Sequence, residues 1–409
     1  MKWPLVKFEE VALPGKGAIV SGPFGSNIGS RFFVDEGVPI IRGNNLTFGE
    51  RRLVDDGFVF LTEEKAREFK NCQALEGDLV FTAAGTIGQV AIIPPGARFD
   101  RYIISNKQLR VRCDHSKVHP LFLFQWFTTE FMRQHILNQN RGCSIPLINL
   151  GTLRNLPVPL PPLQVQEAIT STLSAYDDLI ENNRRRIALL EELARLLYRE
   201  WFVRLRFPGH EHTRIVNGVP EGWRKLTLGD ICTDNREMVS PEALEPETPY
   251  IGLEHMPRRS ISLSEWGTAE QVTSSKLRFN TGDILFGKIR PYFHKVGIAF
   301  TDGVVSSDAF VIRPTAEALK SFVLMTVSSD EFIANTSQAM KEGSKMPRAD
   351  WKQMIQYPVL LPPDGILADF TETITSITDQ LRNLSTQNLK LRTARDLLLP
   401  KLMSGEIEV

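Results

Sequence analysis

Residues 163–207 read LQVQEAITSTLSAYDDLIENNRRRIALLEELARLLYREWFVRLRF, a stretch that follows Pro161-Pro162 and contains neither glycine nor proline. Prolines suit the start of a helix and interrupt its interior, so this composition favours one long helix. At ~40 residues and ~1.5 Å per residue, that helix is expected to be ~60 Å long. Positions spaced alternately by three and four form the heptad seam of a coiled coil. These are Leu173, Tyr176, Ile180, Asn183, Ile187, Leu190, Ala194, Leu197 and Trp201.

A second stretch with the same spacing follows Pro362-Pro363, and we expect Pro400 and Gly405 to end it. A helix of this length needs a partner for its apolar face, and the other copy is the nearest candidate. The alternative is that each helix packs separately along its own globular domain. The second seam consists of Ile374, Ile377, Leu381, Leu384, Asn388, Leu391, Arg395 and Leu398.

Antiparallel pairing of the two seams makes a prediction about their register. The seam centres lie at residues 187 and 386, so the numbers of facing residues should sum to about 573. Asn183 and Asn388, whose numbers sum to 571, would then lie nearly opposite each other. A buried asparagine pair fixes register at a cost in stability. The alternative is that one or both asparagines face solvent.

Each long helix lies at the end of one copy of a longer sequence repeat. Val38–Ile41 parallels Thr248–Ile251, Gly77–Phe81 parallels Gly282–Phe286, and Pro157–Pro162 parallels Pro358–Pro363. A period near 200 residues is too long for a solenoid. Each copy has short β-type runs, at 89–93 and 108–112 and again at 296–300 and 310–313. Single helical stretches follow at 121–137 and 316–336.

We therefore predict an α+β fold with two mixed α/β domains in tandem, each followed by a long helix, the two helices pairing as an antiparallel coiled coil. The predicted bounds are 1–160 for the first domain, 161–207 for the first spacer helix, 208–361 for the second domain, and 362–409 for the second helix and tail.

Composition and charge exclude several classes of protein. The 409 residues carry 48 Lys+Arg and 48 Asp+Glu, a net charge of zero, which argues against non-specific wrapping of polyanions. The four cysteines are too widely spaced for a zinc site or a redox pair, which suits a reducing compartment. The N-terminus does not read as a signal sequence, and no apolar run reaches the ~18–20 residues that span a bilayer. We expect a soluble cytoplasmic protein with no membrane partner.

Motifs that carry catalysis are absent from the sequence. We find no Gly-x-x-x-x-Gly-Lys-Ser/Thr phosphate loop, no dinucleotide fingerprint, no Asn/Asp-Pro-Pro-Tyr/Phe motif and no Gly-x-Ser-x-Gly elbow. Cys113, His115 and His119 come nearest to a metal cluster, but no second cluster completes four ligands. The sequence therefore predicts a non-enzyme without catalytic residues, metal or cofactor of its own.

Basic and amide-rich loops are the remaining candidates for a function. Arginine and asparagine suit bidentate reading of guanine and adenine edges, and Arg42-Gly-Asn-Asn45 follows a short strand. In the second copy, residues 287–295 interleave cations with aromatic rings. The alternative for each residue is an ordinary surface turn. The predicted DNA-binding residues are Arg42, Asn44, Asn45, Lys107, Arg141, Ser144, His255, Arg258, Arg259, Lys288, Arg290, Tyr292, Lys295, Lys345 and Arg348.

Four segments resemble the DNA-specificity subunit of type I restriction-modification enzymes: Ser21-Gly-Pro-Phe-Gly-Ser26, Gly37–Leu46, Gly77–Phe81, and Pro161-Pro162 before a long helix. The resemblance covers essentially the whole chain, since two recognition domains and two helical spacers are the layout of that family. The second copy departs from it, because it lacks Gly-Pro-Phe-Gly-Ser and has Asp364-Gly365 where the first copy has Leu163-Gln164. The departure limits the transfer of individual residues more than the assignment.

The resemblance implies a non-catalytic subunit that binds double-stranded DNA, each domain reading one half of a bipartite, asymmetric site. The helices would set the gap between the halves and dock two modification subunits, which bind adenosylmethionine and methylate adenine. Restriction subunits, with translocase and nuclease activity that depends on ATP and Mg, would join this core. The alternatives are a stand-alone DNA-binding or coiled-coil scaffold protein, and an enzyme of unrecognised class.

The zero net charge is unevenly distributed along the chain. Residues 1–160 carry 19 Lys+Arg against 15 Asp+Glu, whereas residues 161–207 balance at 7 and 7. Residues 208–360 have 17 against 19, and residues 361–409 have 5 against 7. No predicted domain is basic enough to hold DNA strongly by counterion release alone. We therefore expect the isolated chain to bind DNA weakly.

Overall fold

The computed structural model describes residues 2–139, 146–338 and 346–409. The chain divides into two compact units: the first unit comprises residues 1–179 and 391–409, and the second unit comprises residues 180–390. Both long helices cross this division, so each unit contains the first part of one helix and the last part of the other. The domain bounds given above stay a prediction.

The first unit contains short strands and four short helices within its described residues, together with the start of a long helix. Its helices are α1 (Glu63–Glu68), α2 (Pro120–Phe127), α3 (Glu130–Asn138), α4 (Leu150–Arg154) and the first part of α5 (Leu163–Tyr198). Its strands are β1 (Leu5–Lys7), β2 (Ile19–Ser21), β3 (Val38–Ile41), β4 (Val59–Leu61), β5 (Gln73–Ala74), β6 (Leu79–Thr82), β7 (Val90–Ile92), β8 (Tyr102–Ile104), β9 (Gln108–Val111) and β10 (Pro157–Pro159).

Two sheets form the core of the first unit. One has the order β2-β9-β6-β7 and is antiparallel, whereas the other, β4-β3-β8-β5, pairs β3 parallel to β8. The apolar run of β6 has no polar alternation because both faces of its sheet are covered. Leu79 and Phe81 pack with α2 residues such as Phe122, whereas Val80 packs with Ile104 of the other sheet. The mixed α/β character expected from the sequence is confirmed.

The second unit is built from the next set of elements in chain order. Its strands are β11 (Ile215–Val216), β12 (Val219–Pro220), β13 (Arg224–Thr227), β14 (Cys232–Asp234), β15 (Met238–Val239), β16 (Pro249–Ile251), β17 (Ser262–Leu263), β18 (Gly267–Thr268), β19 (Lys276–Phe279), β20 (Ile284–Gly287), β21 (Val296–Ala299), β22 (Gly303–Val305), β23 (Ala309–Pro314) and β24 (Pro358–Leu361). Its helices are α6 (Leu228–Ile231), α7 (Lys320–Val327), α8 (Asp330–Gln338), α9 (Trp351–Met354) and the first part of α10 (Asp364–Ser404).

The second unit repeats the plan of the first. Its sheets have the orders β14-β23-β20-β21-β17 and β15-β19-β22-β16-β18, and β16 lies parallel to β22 as β3 does to β8. In each unit, the strand before the long helix pairs with the first strand of that unit's sequence repeat, β10 with β1 and β24 with β13. A bidentate ion pair occurs at an equivalent place in both units, Asp78 with Arg112 in the first and Asp283 with Arg313 in the second.

Two expectations about helix boundaries were wrong. The stretch at 121–137 is two helices, because α2 ends at Phe127 and Thr129 caps α3, its hydroxyl accepting a hydrogen bond from the Met132 amide. The hydroxyl of Ser329 accepts from the Phe332 amide between α7 and α8 in the same way. Pro400 and Gly405 were expected to end the last helix. The helix α10 continues through Pro400 to Ser404, so Pro400 does not end it, whereas the left-handed Gly405 follows its last residue as expected.

Parts of the two long helices run antiparallel within the second unit. Nδ2 of Asn183 donates to Oδ1 of Asn388 at 3.1 Å, and the rings of Trp201 and Phe370 lie 5.7 Å apart. Both pairs have residue numbers that sum to 571, so the two segments advance in opposite directions in constant register. At its C-terminal end α5 continues into a π-helical turn, Arg199–Val203. None of the described helices has the length and apolar character needed to cross a membrane.

Candidate nucleic-acid interface

An open cleft of about 550 Å³ in the first unit gathers three of the predicted DNA-binding residues. Arg42 and Asn44 follow the end of β3, and Lys107 lies in the turn between β8 and β9. The ends of β3, β6 and β8 meet here because β3 pairs with β8 and the turn after β8 leads into β9, which pairs with β6. Arg42 and Lys107, which are 65 residues apart in the sequence (107 − 42), therefore face one cavity.

The side chains of Arg42 and Asn44 are held at the rim of this cleft. Nη2 of Arg42 donates to the Gly57 carbonyl at 3.0 Å, and Nδ2 of Asn44 lies 3.4 Å from the same oxygen. Nε of Arg42 is buried and has no hydrogen-bond partner among the described residues. The Asn44 side chain is exposed, as is that of Lys107. These groups can meet a polyanion or a base edge without a rearrangement of the strands.

Asn45 is a correction to the predicted set. It is fully buried, and its amide holds the loop together. Its Oδ1 accepts from the Arg42 amide at 3.0 Å, while Nδ2 donates to the carbonyls of Val54 and Asp56. The side chain is occupied in shaping the loop that carries Arg42 and Asn44, so it does not present an edge to DNA.

Sequence reasoning missed several groups at this cleft. Asn106, Gln89 and Gln108 line it, and Phe24 lies in a neighbouring loop with 83% of its surface exposed. That loop packs closely on the turn after β8, since a Cβ on Gly22 would lie 1.8 Å from the Ser105 carbonyl oxygen. The signal was present in Ser105-Asn-Lys-Gln108, a polar run between two apolar strands.

In the second unit, two predicted loops contact each other. The Arg258 guanidinium lies 3.9 Å from the ring centroid of Phe293, and the Arg259 amide donates to the His294 carbonyl at 2.9 Å. Tyr292 is half exposed and packs edge-on against Phe293. Arg258, Arg259 and Tyr292 therefore form one exposed cationic and aromatic surface, which we call the reading surface of the second unit.

The other predicted residues of the second unit are more constrained. Nζ of Lys288 donates to the Ser307 carbonyl at 2.7 Å, and burial lowers the pKa of its ammonium group. Nζ of Lys295 donates to the Leu253 carbonyl, and burial together with the nearby Arg258 lowers its pKa. Arg348 forms an ion pair with Asp308 at 2.9 Å, while Nδ1 of His255 accepts from the Gly252 amide.

Arg290 has a left-handed backbone and lies at the start of the loop that carries Tyr292. Its amide donates to the Pro347 carbonyl at 2.8 Å, so this loop also contacts the segment before α9. The predicted residues Arg141, Ser144 and Lys345 lie outside the described residues. Among the residues that the structure describes, no group of three or more His, Cys, Asp or Glu side chains is arranged to hold a metal ion.

Known proteins resemble this chain in sequence. Residues 30–192 match the family model of the type I restriction modification DNA specificity domain. The specificity subunit of the type I restriction enzyme MjaIX from Methanocaldococcus jannaschii is 23% identical over 91% of this chain and 87% of its own length. The specificity subunit of HindI from Haemophilus influenzae is 20% identical over 75% of this chain and 82% of its own length.

A solved structure has a similar fold. The crystal structure of the type I restriction-modification S subunit from M. genitalium matches with a TM-score of 0.57 and 15% identity, covering 98% of this chain and 96% of its own. At 15% identity, this similarity is evidence for a shared fold alone.

Proposed function

Because the chain is related to the DNA-specificity subunits of type I restriction-modification enzymes, we propose that it is a non-catalytic DNA-recognition subunit of such a complex. In this proposal, each unit reads one half of a bipartite, asymmetric DNA site. The catalytic steps are carried out by partner subunits, which bind adenosylmethionine, ATP and Mg.

The strongest support is that the two units share one arrangement of strands but carry different polar side chains in an equivalent loop. In both units the strand that pairs in parallel, β3 or β16, is followed by a short 3₁₀ turn, Gly43–Asn45 or Leu253–His255. At its exposed position the first turn carries Asn44, whereas the second carries Glu254. Two equivalent loops with unlike hydrogen-bonding groups fit two unlike half-sites, since base edges are read by such groups.

The long helices are proposed to pair as an antiparallel coiled coil that sets the gap between the half-sites. The Asn183–Asn388 and Trp201–Phe370 contacts in the second unit support this, as does the 2.7 Å ion pair between Asp177 and Arg395 in the first. The predicted seam residues are all buried or half-buried. A constant register over several heptads is what a spacer of fixed length requires.

The outer surface of α5 is proposed to dock the modification subunits. Leu189, Leu193 and Leu196 follow helical spacing and are 71%, 52% and 41% exposed. A contiguous exposed apolar stripe is typical of a protein contact. Restriction subunits would join the assembled complex, as the family resemblance implies.

Genome-wide mapping of methylated adenine tests the proposal. Strains with and without this gene should differ by one methylated motif, made of two specified halves separated by a fixed gap. Exchange of residues 1–150 for those of a related subunit should change one half of the motif only. A change in both halves, or no motif that depends on the gene, would refute the proposal.

The rival possibility of an unrecognised enzyme is tested on the isolated chain. We expect no adenosylmethionine binding and no turnover without the modification subunits. Co-purification with a methyltransferase subunit separates the proposed role from that of a stand-alone scaffold.

A further inference from the structure

A single buried carboxylate joins the helix α5 to a loop of the second unit. Glu191 is 5% exposed, and its Oε1 accepts hydrogen bonds from three consecutive residues. The donors are the Ser260 hydroxyl at 2.6 Å, the Ile261 amide at 3.0 Å, and the amide and hydroxyl of Ser262 at 3.1 and 2.8 Å. Hydrogen bonds to an ionised carboxylate are stronger than those between neutral groups.

The segment that Glu191 binds, residues 260–262, is continuous in sequence with the reading surface of the second unit. Arg258 and Arg259 precede Ser260, and a guanidinium nitrogen of Arg195, one turn beyond Glu191 on α5, donates to the Arg259 carbonyl. Arg259 in turn holds the other loop, through the hydrogen bond from its amide to His294. A continuous chain of contacts therefore runs from α5 to both loops.

The conformation of these loops depends on such contacts. Arg259 and His294 have φ values of 55° and 54°, in the left-handed region that costs free energy for residues other than glycine. Such a conformation persists only where its surroundings hold it. Besides Arg195, the surroundings include Asp330, which forms an ion pair with the Arg259 guanidinium at 2.9 Å.

The first unit has a related connection at the equivalent loop. With the offset of 210 residues between β3 and β16, Gly49 corresponds to Arg259 and Arg52 to Ser262. Arg52 forms an ion pair with Asp178 of α5 at 3.0 Å, and Gly49 is left-handed with its carbonyl 3.5 Å from Nη1 of Arg395 on α10. In each unit, a long helix holds this loop by charged side chains.

We propose that Glu191 is a positioning residue that fixes the reading surface of the second unit against α5 and thereby determines the sequence preference for one half of the DNA site. The inference rests on the proposed function. It assigns specificity to a helix residue that does not itself reach DNA, acting through residues 258–262.

Hydrogen exchange of the full chain tests the contacts between Glu191 and residues 260–262 independently of DNA. In Glu191→Ala, peptides covering residues 258–263 should exchange at least about tenfold faster, because the Ile261 amide loses its acceptor and the Ser262 amide keeps only the Ser260 hydroxyl. Glu192→Ala is the matched control, since its side chain is half exposed and pairs only with Arg195 among the described contacts. Unchanged exchange of 258–263 in Glu191→Ala would overturn the inference.

Methylation by the chain assembled with its modification subunits tests the consequence. For wild type, substitutions in either half-site should reduce methylation. For Glu191→Ala, discrimination should fall at least about tenfold in one half-site and stay unchanged in the other, and Glu191→Gln, which keeps Oε1 as an acceptor, should restore most of it. If discrimination falls equally in both half-sites, the substitution perturbs the protein as a whole, and the inference is wrong.

The two proposals fail in different ways. A wild-type chain without a two-part motif would refute the proposed function, whereas a two-part motif that Glu191→Ala leaves unchanged would refute only the inference.

Discussion

The Asn183 amide donates to Oδ1 of Asn388 at 3.1 Å, and both side chains are nearly inaccessible, at 6% and 3% exposure. Two polar side chains in an apolar seam satisfy each other only when the helices are in this register. A shift by one heptad in one direction would set Asn183 against Leu381 and Asn388 against Tyr176, and the opposite shift would set Asn388 against Leu190. Either shift parts the two side-chain amides, at the cost of an unsatisfied polar group. The pair therefore selects one register among several that the apolar residues alone would allow.

Substitution of one asparagine should destabilise the chain, and substitution of both should not. Asn183→Leu leaves the Asn388 amide buried without this partner, so we expect a loss of about 1–3 kcal/mol in the free energy of unfolding. Asn183→Leu combined with Asn388→Leu should recover most of that loss. Urea denaturation of the full chain measures both, with Asn182→Leu on the exposed face as the control. Additive losses in the double variant would show that the two amides do not depend on each other.

The sequence predicted this contact because aligning the centres of the two heptad seams, at residues 187 and 386, places Asn183 and Asn388 nearly opposite each other. The break between α2 and α3 was missed, since apolar residues lie on both sides of Thr129 and their pattern does not show the hydrogen bond by which Thr129 caps α3. Asn45 and Arg42 looked equivalent as polar loop residues, but the fold buries Asn45 fully and leaves Arg42 half-buried at the rim of the cleft. The contact between Glu191 and Ser260 was beyond sequence reasoning, because residues about 70 apart meet only once the sheets have formed.

The stability of the second unit should fall in mild acid because of His294. Burial lowers the pKa of this imidazole; it faces the Ser328 carbonyl at 2.8 Å, with Asp330, Arg259 and Arg195 nearby. The unfolded chain takes up a proton near pH 6.5 that the folded chain resists, so stability is complete above pH 6.5 and decreases below it. The slope is at most about 1.4 kcal/mol per pH unit.

His294→Asn removes the titrating group while keeping a residue that tolerates the left-handed backbone. Urea denaturation between pH 7.5 and 5.5 should therefore show a shallower decline for this variant than for wild type. Identical pH slopes would mean that His294 titrates alike in the folded and unfolded chains.

Lys107 should contribute to DNA binding through charge and Phe24 through apolar contact. Lys107→Ala removes one exposed cation from the cleft and should reduce the slope of log K against log salt by about one. Phe24→Ala should weaken binding by roughly 1–2 kcal/mol at every salt concentration without changing that slope. Filter binding by the assembled complex distinguishes the two effects. Lys117→Ala, an equal charge change outside the cleft, should leave the slope as it is.

Leu193 should contribute to assembly more than to folding. Leu193→Glu places a charge in the exposed stripe of α5, so co-purification with the modification subunit should fall at least about tenfold. Because the residue is exposed, the free energy of unfolding of the isolated chain should change by no more than about 0.5 kcal/mol. Leu193→Met, which keeps an apolar side chain, should assemble normally. Full assembly of Leu193→Glu would place the docking surface elsewhere.

The gap between the half-sites should follow the length of the helix pair. Seven residues inserted after Arg185 in α5 and seven after Ser385 in α10 keep the heptad pattern, and both insertions fall at the register position where residue numbers sum to 571. Each helix then lengthens by about 10 Å, which corresponds to roughly three base pairs of DNA. Methylation mapping should show the same two half-sites separated by about three more base pairs. An insertion in α5 alone leaves Asn183 and Asn388 out of register with the remaining seam, so it should impair folding without producing a wider site. A double insertion that retains the original gap would show that something other than the helix pair sets the spacing.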